Sequence, residues 1–178
     1  VLSEANAVLA FGRDIDREQF ILVKDLTPEE AKQLLDQRAN GRALSTEERD
    51  LLFENLGTRA GMLTDFCGSD ESVDKFVARN LRAARVDLDA FPLKPILQAL
   101  KEHPEGVIPE YFHNAEYKGI DMSDPRAVGA AMKATANPIL FDITNMVYVP
   151  ISRAHEVALR SYDPPPSPPT WFESIFGK

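Results

Sequence analysis

The sequence predicts a mainly α-helical fold that ends in a module with one small β-hairpin. Capping patterns followed by apolar residues at helical spacing recur along the chain, most clearly in residues 27–35 and 45–56. Two short runs rich in β-favouring residues, 138–141 and 146–149, flank a short polar turn, which is typical of a hairpin. Helices therefore dominate the prediction, and the hairpin lies towards the end of the chain.

The composition excludes several classes of protein. No apolar run in the 178 residues approaches the roughly 20 residues that cross a bilayer, and the opening residues lack the basic start of a signal peptide. The single cysteine, Cys67, excludes an internal disulfide, favours a reducing compartment, and forms no zinc-site pattern with the three scattered histidines. A net charge of −8 argues against non-specific nucleic-acid binding. We therefore expect a soluble intracellular protein, and a chain that starts at Val1 predicts a longer native protein.

The first ninety residues divide into a short leading segment and a helical bundle. Residues 1–24 are predicted to hold one helix and an apolar strand at 20–23. Residues 25–90 are predicted to form four helices, two of which open with a capping pattern. Three of these helices are predicted to start at Thr27, Ser45 and Ser69, and the other is predicted to cover residues 58–66.

Residues 91–162 carry a second pattern. Three helices are predicted, at 93–102, 109–115 and 124–135, and the hairpin at 138–149 follows them. A short extended piece separates the first two helices, and a last helix covers about 152–162. Helix, short strand, helix, helix and hairpin is the order of a winged helix-turn-helix, in which the hairpin is the wing.

The C-terminal residues 163–178 differ from the rest of the chain. A proline-rich stretch, DPPPSPP, predicts an extended polyproline segment, because proline fixes its backbone and donates no hydrogen bond. An aromatic tip with Trp171, Phe172 and Phe176 follows it. Two interpretations stay open: an arm that docks on a partner, and a tail that folds back over its own domain.

The most informative motif is GTRAGML at residues 57–63. Gly57 is expected to end one helix, and Arg59 stands at the start of the next. The helix dipole mildly disfavours a cation at a helix start, so a neighbouring anion is expected to compensate. A nucleotide phosphate would do so, because a guanidinium offers several planar donors. A surface arginine paired with a nearby carboxylate is the simpler alternative.

The motif and its context resemble the end of an AAA+ or STAND-type ATPase domain, particularly that of the archaeal-type ATPases. Members of this family follow a core strand with a D-L-T/S-x-E-E-A helix start, matched by DLTPEEA at residues 25–31. A later G-G/T-R/N-P/A-x-x-L motif opens the sensor-2 helix of their lid and is matched by residues 57–63. Many members continue into a winged helix, and residues 93–162 are similar to one.

This resemblance implies a domain organisation and a role for three residues. Residues 1–24 would end the ATPase core, 25–90 would form the helical lid and 91–162 the winged helix. Arg59 would be the nucleotide-sensing residue, with Gly57 and Thr58 supporting the motif. Thr58 and Ala60 depart from the family's double glycine or proline, which puts active sensing in question.

No phosphate-cradling motif of the form G-x-x-x-x-G-K-S/T occurs in the chain. ATP and Mg²⁺ are therefore implied as cofactors only if a P-loop domain lies upstream, and the chain alone is not expected to hydrolyse ATP. No metal ligands and no catalytic residues are predicted.

Three functions follow from the sequence. The first is a nucleotide-dependent switch whose lid and winged helix couple ATP state to a protein partner or to its own ATPase core. The second is a non-catalytic scaffold or adaptor of a larger assembly. The third and weakest is a nucleic-acid binder, because the predicted third helix offers only Arg126 and Lys133 as basic residues among small apolar ones. The residues predicted to contact a partner or nucleic acid are Arg126, Lys133, Trp171, Phe172 and Phe176.

Overall fold

The computed structural model describes residues 25–38, 43–113, 115–132, 137–142 and 144–163. The predicted helix and strand in 1–24, the side chain of Lys133 and the aromatic tip with Trp171, Phe172 and Phe176 lie outside these residues. Within them the fold is mainly helical and contains two small antiparallel hairpins, which confirms the predicted helical character and the presence of a small hairpin. None of the helices in the described ranges has both the length and the apolar character needed to cross a membrane.

Seven α-helices occur in the described residues, and two begin with the predicted caps. At Ser45, Oγ accepts from the Glu48 amide at 3.1 Å and the Ser45 amide donates to Glu48 Oε2 at 2.9 Å. Thr27 and Glu30 make the same reciprocal pair. The helices are α1 Pro28–Arg38, α2 Thr46–Leu56, α3 Ala60–Cys67, α4 Val73–Ala90, α5 Lys94–Glu102, α6 Pro125–Met132 and α7 Arg153–Arg160.

The long helix α4 starts later than the sequence predicts. Ser69 was expected to open it, but the Ser69 hydroxyl and amide both bond back to the Phe66 carbonyl, at 2.9 and 3.0 Å, and close α3 instead. Ser72 is therefore the N-cap of α4. The apolar face of α4 is buried at Val73, Phe76, Val77, Ala84 and Leu88, and Leu81 on the same helix is partly buried.

The C-terminal half differs from the predicted order in two places. The expected helix at 109–115 is a single 3-10 turn, Pro109–Phe112. An additional hairpin follows it, with strands β1 Glu116–Tyr117 and β2 Ile120–Asp121. Lys118 and Gly119 form its two-residue turn with φ of 55° and 75°, the positive values that such a tight turn requires. Because each strand has only two residues, no alternation was visible in the sequence.

The predicted hairpin is present, with β3 Ile139–Asp142 antiparallel to β4 Val147–Pro150. Phe141 lies opposite Tyr148 in this register, and both side chains are buried. Val107 adds a single bridge on the other edge of β4, again opposite Tyr148. The winged-helix arrangement itself stays a prediction, because the extra hairpin separates the 3-10 turn from α6.

One apolar core runs through both halves of the described chain. Helix α7, near the C-terminus, packs most extensively on α4 and also contacts α2 and α5. Tyr162 extends this contact, since its hydroxyl donates to the Leu88 carbonyl at 3.3 Å. The helices of residues 25–90 and the module of residues 91–162 are therefore packed against each other.

Candidate functional site

The turn at residues 57–59 joins α2 to α3 as the motif predicts. The Gly57 amide donates to the Phe53 carbonyl at 3.0 Å and ends α2. Arg59 has an extended backbone and is the N-cap of α3, although its side chain makes no capping hydrogen bond. A guanidinium has only donors and cannot accept a hydrogen bond from the helix start, so that of Arg59 makes its contacts elsewhere.

Thr58 fastens the beginning of the described chain to this turn. Its hydroxyl donates to the Leu26 carbonyl at 2.5 Å, and the Leu26 amide donates to the Thr58 carbonyl at 3.2 Å. These bonds join residues that are far apart in sequence. Residues 25 and 26 consequently pass beside the turn that carries Arg59.

Arg59 connects three segments of the chain through weak contacts. Its Nε lies 3.4 Å from Asp25 Oδ1, and its Nη2 donates to the Ile151 carbonyl at 3.2 Å. The side chains of Arg59 and Asp25 are 53% and 51% exposed. An exposed pair of this kind contributes about 0–1 kcal/mol to stability. An anion that forms charge-assisted hydrogen bonds can therefore compete for this guanidinium.

Arg153, at the start of α7, is held more firmly. Its Nε donates to the Glu54 carbonyl at 2.8 Å and its Nη1 to Glu156 Oε1 at 2.6 Å, while Arg160 Nη2 donates to the same oxygen at 2.7 Å. Partial burial alone would raise the pKa of Glu156, but the hydrogen bonds from the two arginines outweigh it and lower that pKa. Arg153 thus ties α7 to the C-terminal end of α2, where a cation is favoured.

These residues border an open cleft of about 590 Å³. Its lining includes Pro28 and Arg153, the first residues of α1 and α7, and Arg59, the N-cap of α3, so three helix N-termini border it. The positive ends of the helix dipoles and the half-exposed Arg59 favour an anion, whereas Asp25 and Glu156 oppose one. The apolar part of the lining comprises Pro28, Phe53, Pro104, Leu140, Val149, Pro150 and Ile151.

A partly buried histidine, His155, lies between two residues that line the cleft, Ser152 and Glu156, and the sequence did not reveal it as part of the site. His155 Nδ1 lies 2.8 Å from Ser152 Oγ, and its Nε2 lies 3.1 Å from Asp87 Oδ2. Burial lowers the pKa of His155, Asp87 partly offsets this, and Arg59 lowers it further. A neutral imidazole then donates a hydrogen bond from Nε2 to Asp87, and its Nδ1 accepts a hydrogen bond from the Ser152 hydroxyl.

The Ser152–His155–Asp87 chain links α7 to α4 next to Arg59. Ser152 Oγ is also the N-cap of α7 and accepts from the His155 amide at 3.4 Å. Ser152 therefore has a structural role that accounts for its contacts. The spacing Ser152-x-x-His155 is a local capping signal that the sequence does contain, but nothing in the sequence indicates Asp87 as the third member.

Acidification is expected to destabilise the fold through His155. Because its pKa in the folded protein lies below the usual 6.5, its contribution to stability is complete above pH 6.5 and is lost as the pH falls through the folded value. Urea unfolding at a series of pH values should show this loss, and His155→Gln should remove it. Exposed His103→Gln is the control and should retain it. Carboxyls with lowered pKa, such as Asp121, act only at lower pH. If the unfolding free energy of His155→Gln fell on acidification as steeply as that of the unaltered chain, the loss of stability would not come from His155.

The predicted nucleic-acid contacts are not assembled into a basic surface in the described part of the chain. Arg126 is exposed at the start of α6, and Lys133 lies outside the described residues. Burial raises the pKa of nearby Tyr148, and the charges of Asp124, Asp121 and Glu110 raise it further. Asp121 and Asp124 closely precede α6 in the chain and would repel phosphate at its start.

Asn145, whose side-chain amide could read a base from the turn between β3 and β4, is already paired within that turn. The Asn145 side-chain amide donates to Asp142 Oδ2 at 2.7 Å. Asp142 Oδ1 also accepts from the Thr144 amide at 2.9 Å, so the turn is held by its own side chains. Asn145 is therefore committed to the turn in the described structure.

Comparisons with known proteins leave the site to be interpreted from its own geometry. No family model, no curated protein and no solved structure matches the chain. Among the residues that the structure describes, no cluster of three or more His, Cys, Asp or Glu side chains could hold a metal ion. The resemblance to archaeal-type ATPases and the sensing role of Arg59 accordingly stay predictions.

Proposed function

We propose that this chain is the lid and C-terminal module of a nucleotide-dependent switch ATPase, and that Arg59 responds to the phosphate of the bound nucleotide. One observation carries the proposal. The half-exposed Arg59 guanidinium stands at the start of α3 and also bonds the Ile151 carbonyl, at 3.2 Å, in the link between β4 and α7. One side chain therefore joins the predicted sensing position to the module that would contact a partner.

The coupling follows from competition for this guanidinium. A phosphate at the cleft would form charge-assisted hydrogen bonds with Arg59 that are stronger than its present contacts. Arg59 would then release Asp25 and the Ile151 carbonyl. Because Ile151 lies two residues before Arg153, the first residue of α7, the phosphate state would bias the position of α7 against α4 and α2.

The described residues fit part of a nucleotide site. Arg59 supplies donors for a phosphate, and the dipoles of α1, α3 and α7 add favourable potential. The chain contains no G-x-x-x-x-G-K-S/T motif, so the phosphate cradle and the Mg²⁺ ligand would come from an upstream P-loop domain. Arg59 would hold and orient the phosphate, and the chemistry would occur on that other domain.

A scaffold or adaptor without catalytic activity is the second candidate. It is favoured by exposed apolar side chains near the hairpin, of which Ile108 and Met146 are more than half exposed. Nucleic-acid binding is the weakest candidate because of the carboxylates around α6. ATP turnover by the native protein separates the first candidate from the second.

Replacing Arg59 by alanine in the native-length protein is expected to reduce ATP turnover at least about tenfold, which corresponds to losing one charge-assisted contact to phosphate. Arg59→Lys should restore little, because a single ammonium cannot reproduce the planar donor geometry. Arg82→Ala, an exposed arginine on α4, is the matched control and should retain turnover. Steady-state hydrolysis by the three variants is the measurement.

The outcome also tests the structural alternative for Arg59. If Arg59→Ala turns over ATP as fast as the Arg82→Ala control, Arg59 is only a surface residue that pairs with Asp25. If the native protein neither binds nor hydrolyses ATP, the switch proposal is wrong and the scaffold interpretation takes its place.

A further inference from the structure

Two consecutive residues join Arg59 to His155. Arg59 Nη2 donates to the Ile151 carbonyl at 3.2 Å. The next residue, Ser152, lines the cleft and has its Oγ 2.8 Å from His155 Nδ1. The imidazole also contacts α4, because its Nε2 lies 3.1 Å from Asp87 Oδ2. An anion that draws Arg59 away from Ile151 therefore acts one peptide unit from the hydrogen bond between Ser152 and His155.

Two charged side chains from outside α7 act on the imidazole of His155. Asp87 of α4 favours its protonated form through a hydrogen bond and a negative charge, and the positive charge of Arg59 opposes that form. Burial opposes it more strongly than Arg59 does. Burial is fixed by the fold, whereas Arg59 is half exposed and an anion can neutralise it. The charge of Arg59 is therefore the influence on His155 that a ligand in the cleft can change.

Other charged side chains on α7 and on the helices packed against it have partners of their own. On α7, Glu156 accepts hydrogen bonds from Arg153 and Arg160. On α2, the Glu54 carbonyl accepts from Arg153. On α5, two ammonium groups bond to Tyr162, beyond the C-terminal end of α7, and they belong to Lys94 and Lys101. None of these contacts includes the imidazole of His155.

The hydroxyl of Ser152 provides a second route between the cleft and His155. When the imidazole is neutral, the hydroxyl donates to Nδ1, and its oxygen accepts from the His155 amide at 3.4 Å. A proton from solvent would add to Nδ1, which then donates to Ser152 Oγ instead. A hydroxyl has one donor and two acceptor lone pairs, so its own proton is then free to bind an anion in the cleft. Protonation of His155 thus adds a hydrogen-bond donor as well as a positive charge.

We propose that the cleft is a proton-linked site for a doubly charged oxyanion of the phosphate or sulfate type, in which His155 takes up a proton from solvent when the anion binds Arg59. The bound anion contacts the guanidinium of Arg59 and the hydroxyl of Ser152. Because binding and protonation are linked, each strengthens the other by the same factor. The anion therefore binds more tightly as the pH falls through the range in which His155 titrates. This inference rests on the anion-binding role proposed for Arg59 and adds its regulation by pH.

Titration of His155 by proton NMR measures the linkage directly. The chain has three histidines, and the resonance that is missing in His155→Gln identifies the one of interest. Sulfate is the probe, because it stays doubly charged over the range from about pH 5 to pH 8 in which histidine titrates. Sulfate, compared with sodium chloride at equal ionic strength, is expected to raise the pKa of His155. The titration of the exposed His103 should not respond to sulfate and is the internal control.

Arg59→Gln tests whether the charge of the guanidinium is responsible. Without sulfate, this substitution should raise the pKa of His155, because it removes a positive charge that opposes the imidazolium. Adding sulfate should then cause no further rise. Arg82→Gln, which removes an exposed arginine of α4, is the matched control and should behave as the unaltered chain does. A titration of His155 that is the same in Arg59→Gln and in the unaltered chain would overturn the proposal.

Calorimetric binding of sulfate to the 178-residue chain supplies the reciprocal measurement. The affinity is expected to be about fivefold higher at about pH 5.5 than at about pH 7.5, which is at the lower end of typical coupling between two sites. In His155→Gln, whose fold is checked by circular dichroism, the affinity should be the same at both pH values, and His103→Gln should retain the difference. No binding of sulfate, or equal affinity at both pH values in the unaltered chain, would overturn the inference.

These results are distinguishable from those of ATP hydrolysis. A proton-linked sulfate site in a protein that does not turn over ATP would support the inference and refute the nucleotide switch. A sulfate site without pH dependence, in a protein whose ATP turnover depends on Arg59, would overturn the inference and leave the proposed function intact.

Discussion

Replacing Tyr148 by alanine is expected to lower the free energy of unfolding by about 3–5 kcal/mol, as is usual when a large aromatic side chain is removed from a core. Tyr148 is only 1% exposed. Its ring packs beside Phe141 and Phe112, with centroids 5.4 and 6.3 Å apart, and its hydroxyl donates to the Met122 carbonyl at 3.1 Å. The side chain therefore joins the hairpin β3–β4, the 3-10 turn and the loop before α6.

Tyr148→Phe separates the ring from the hydroxyl. It retains the packing and loses only the bond to the Met122 carbonyl, so we expect a loss of about 1 kcal/mol. Urea unfolding of both variants measures these losses. The slope of the unfolding free energy against urea concentration should be the same as in the unaltered chain. If Tyr148→Ala costs no more than Tyr148→Phe, the ring is not at the centre of this junction.

Gly57→Ala is expected to have the second largest effect, a loss of about 1–3 kcal/mol from backbone strain. Gly57 has φ 75° and ψ −166°, a conformation that residues with a Cβ atom rarely adopt. A Cβ atom there would also lie 3.1 Å from Cβ of Arg153. Relief of this contact would move α7 away from the turn and disturb the bond from Arg153 to the Glu54 carbonyl.

Gly61→Ala is the matched control within the same motif. Gly61 lies in the first turn of α3, and a Cβ atom there has no neighbour within 4 Å. Alanine is expected to stabilise this helix by about 0.5–1 kcal/mol relative to glycine. Thermal or urea unfolding should therefore give changes of opposite sign for the two glycines. Equal effects would contradict the described turn.

Local signals predicted most of the helices and the main hairpin. The capping pairs at Thr27 and Ser45 need only residues three apart, and both form as the sequence indicates. The start of α4 was missed because Ser69 can cap a following helix or close the preceding one, and only the packed structure decides between them. The β1–β2 hairpin was missed because Tyr117 and Ile120 sit in strands too short for a periodic signal.

The sequence could predict only those parts of the candidate site that are formed by residues close together in the chain. The motif located Gly57 and Arg59 at the end of one helix and the start of another, as the structure has them. The partners of Arg59 depend on tertiary packing, since Asp25 is 34 residues away and Ile151 is 92 residues away. The pairing of His155 with Asp87, 68 residues apart, is of the same kind. Periodicity and capping carry no information about such contacts.

We propose that the nucleotide state reaches α7 through Arg59. Amide hydrogen exchange of residues 150–160 in the native-length protein, compared between a non-hydrolysable ATP analogue and ADP, measures this coupling. We predict faster exchange with the ATP analogue, because Arg59 then releases the Ile151 carbonyl, and no difference between the nucleotides in Arg59→Ala. Equal exchange in both nucleotide states of the unaltered protein would contradict the account.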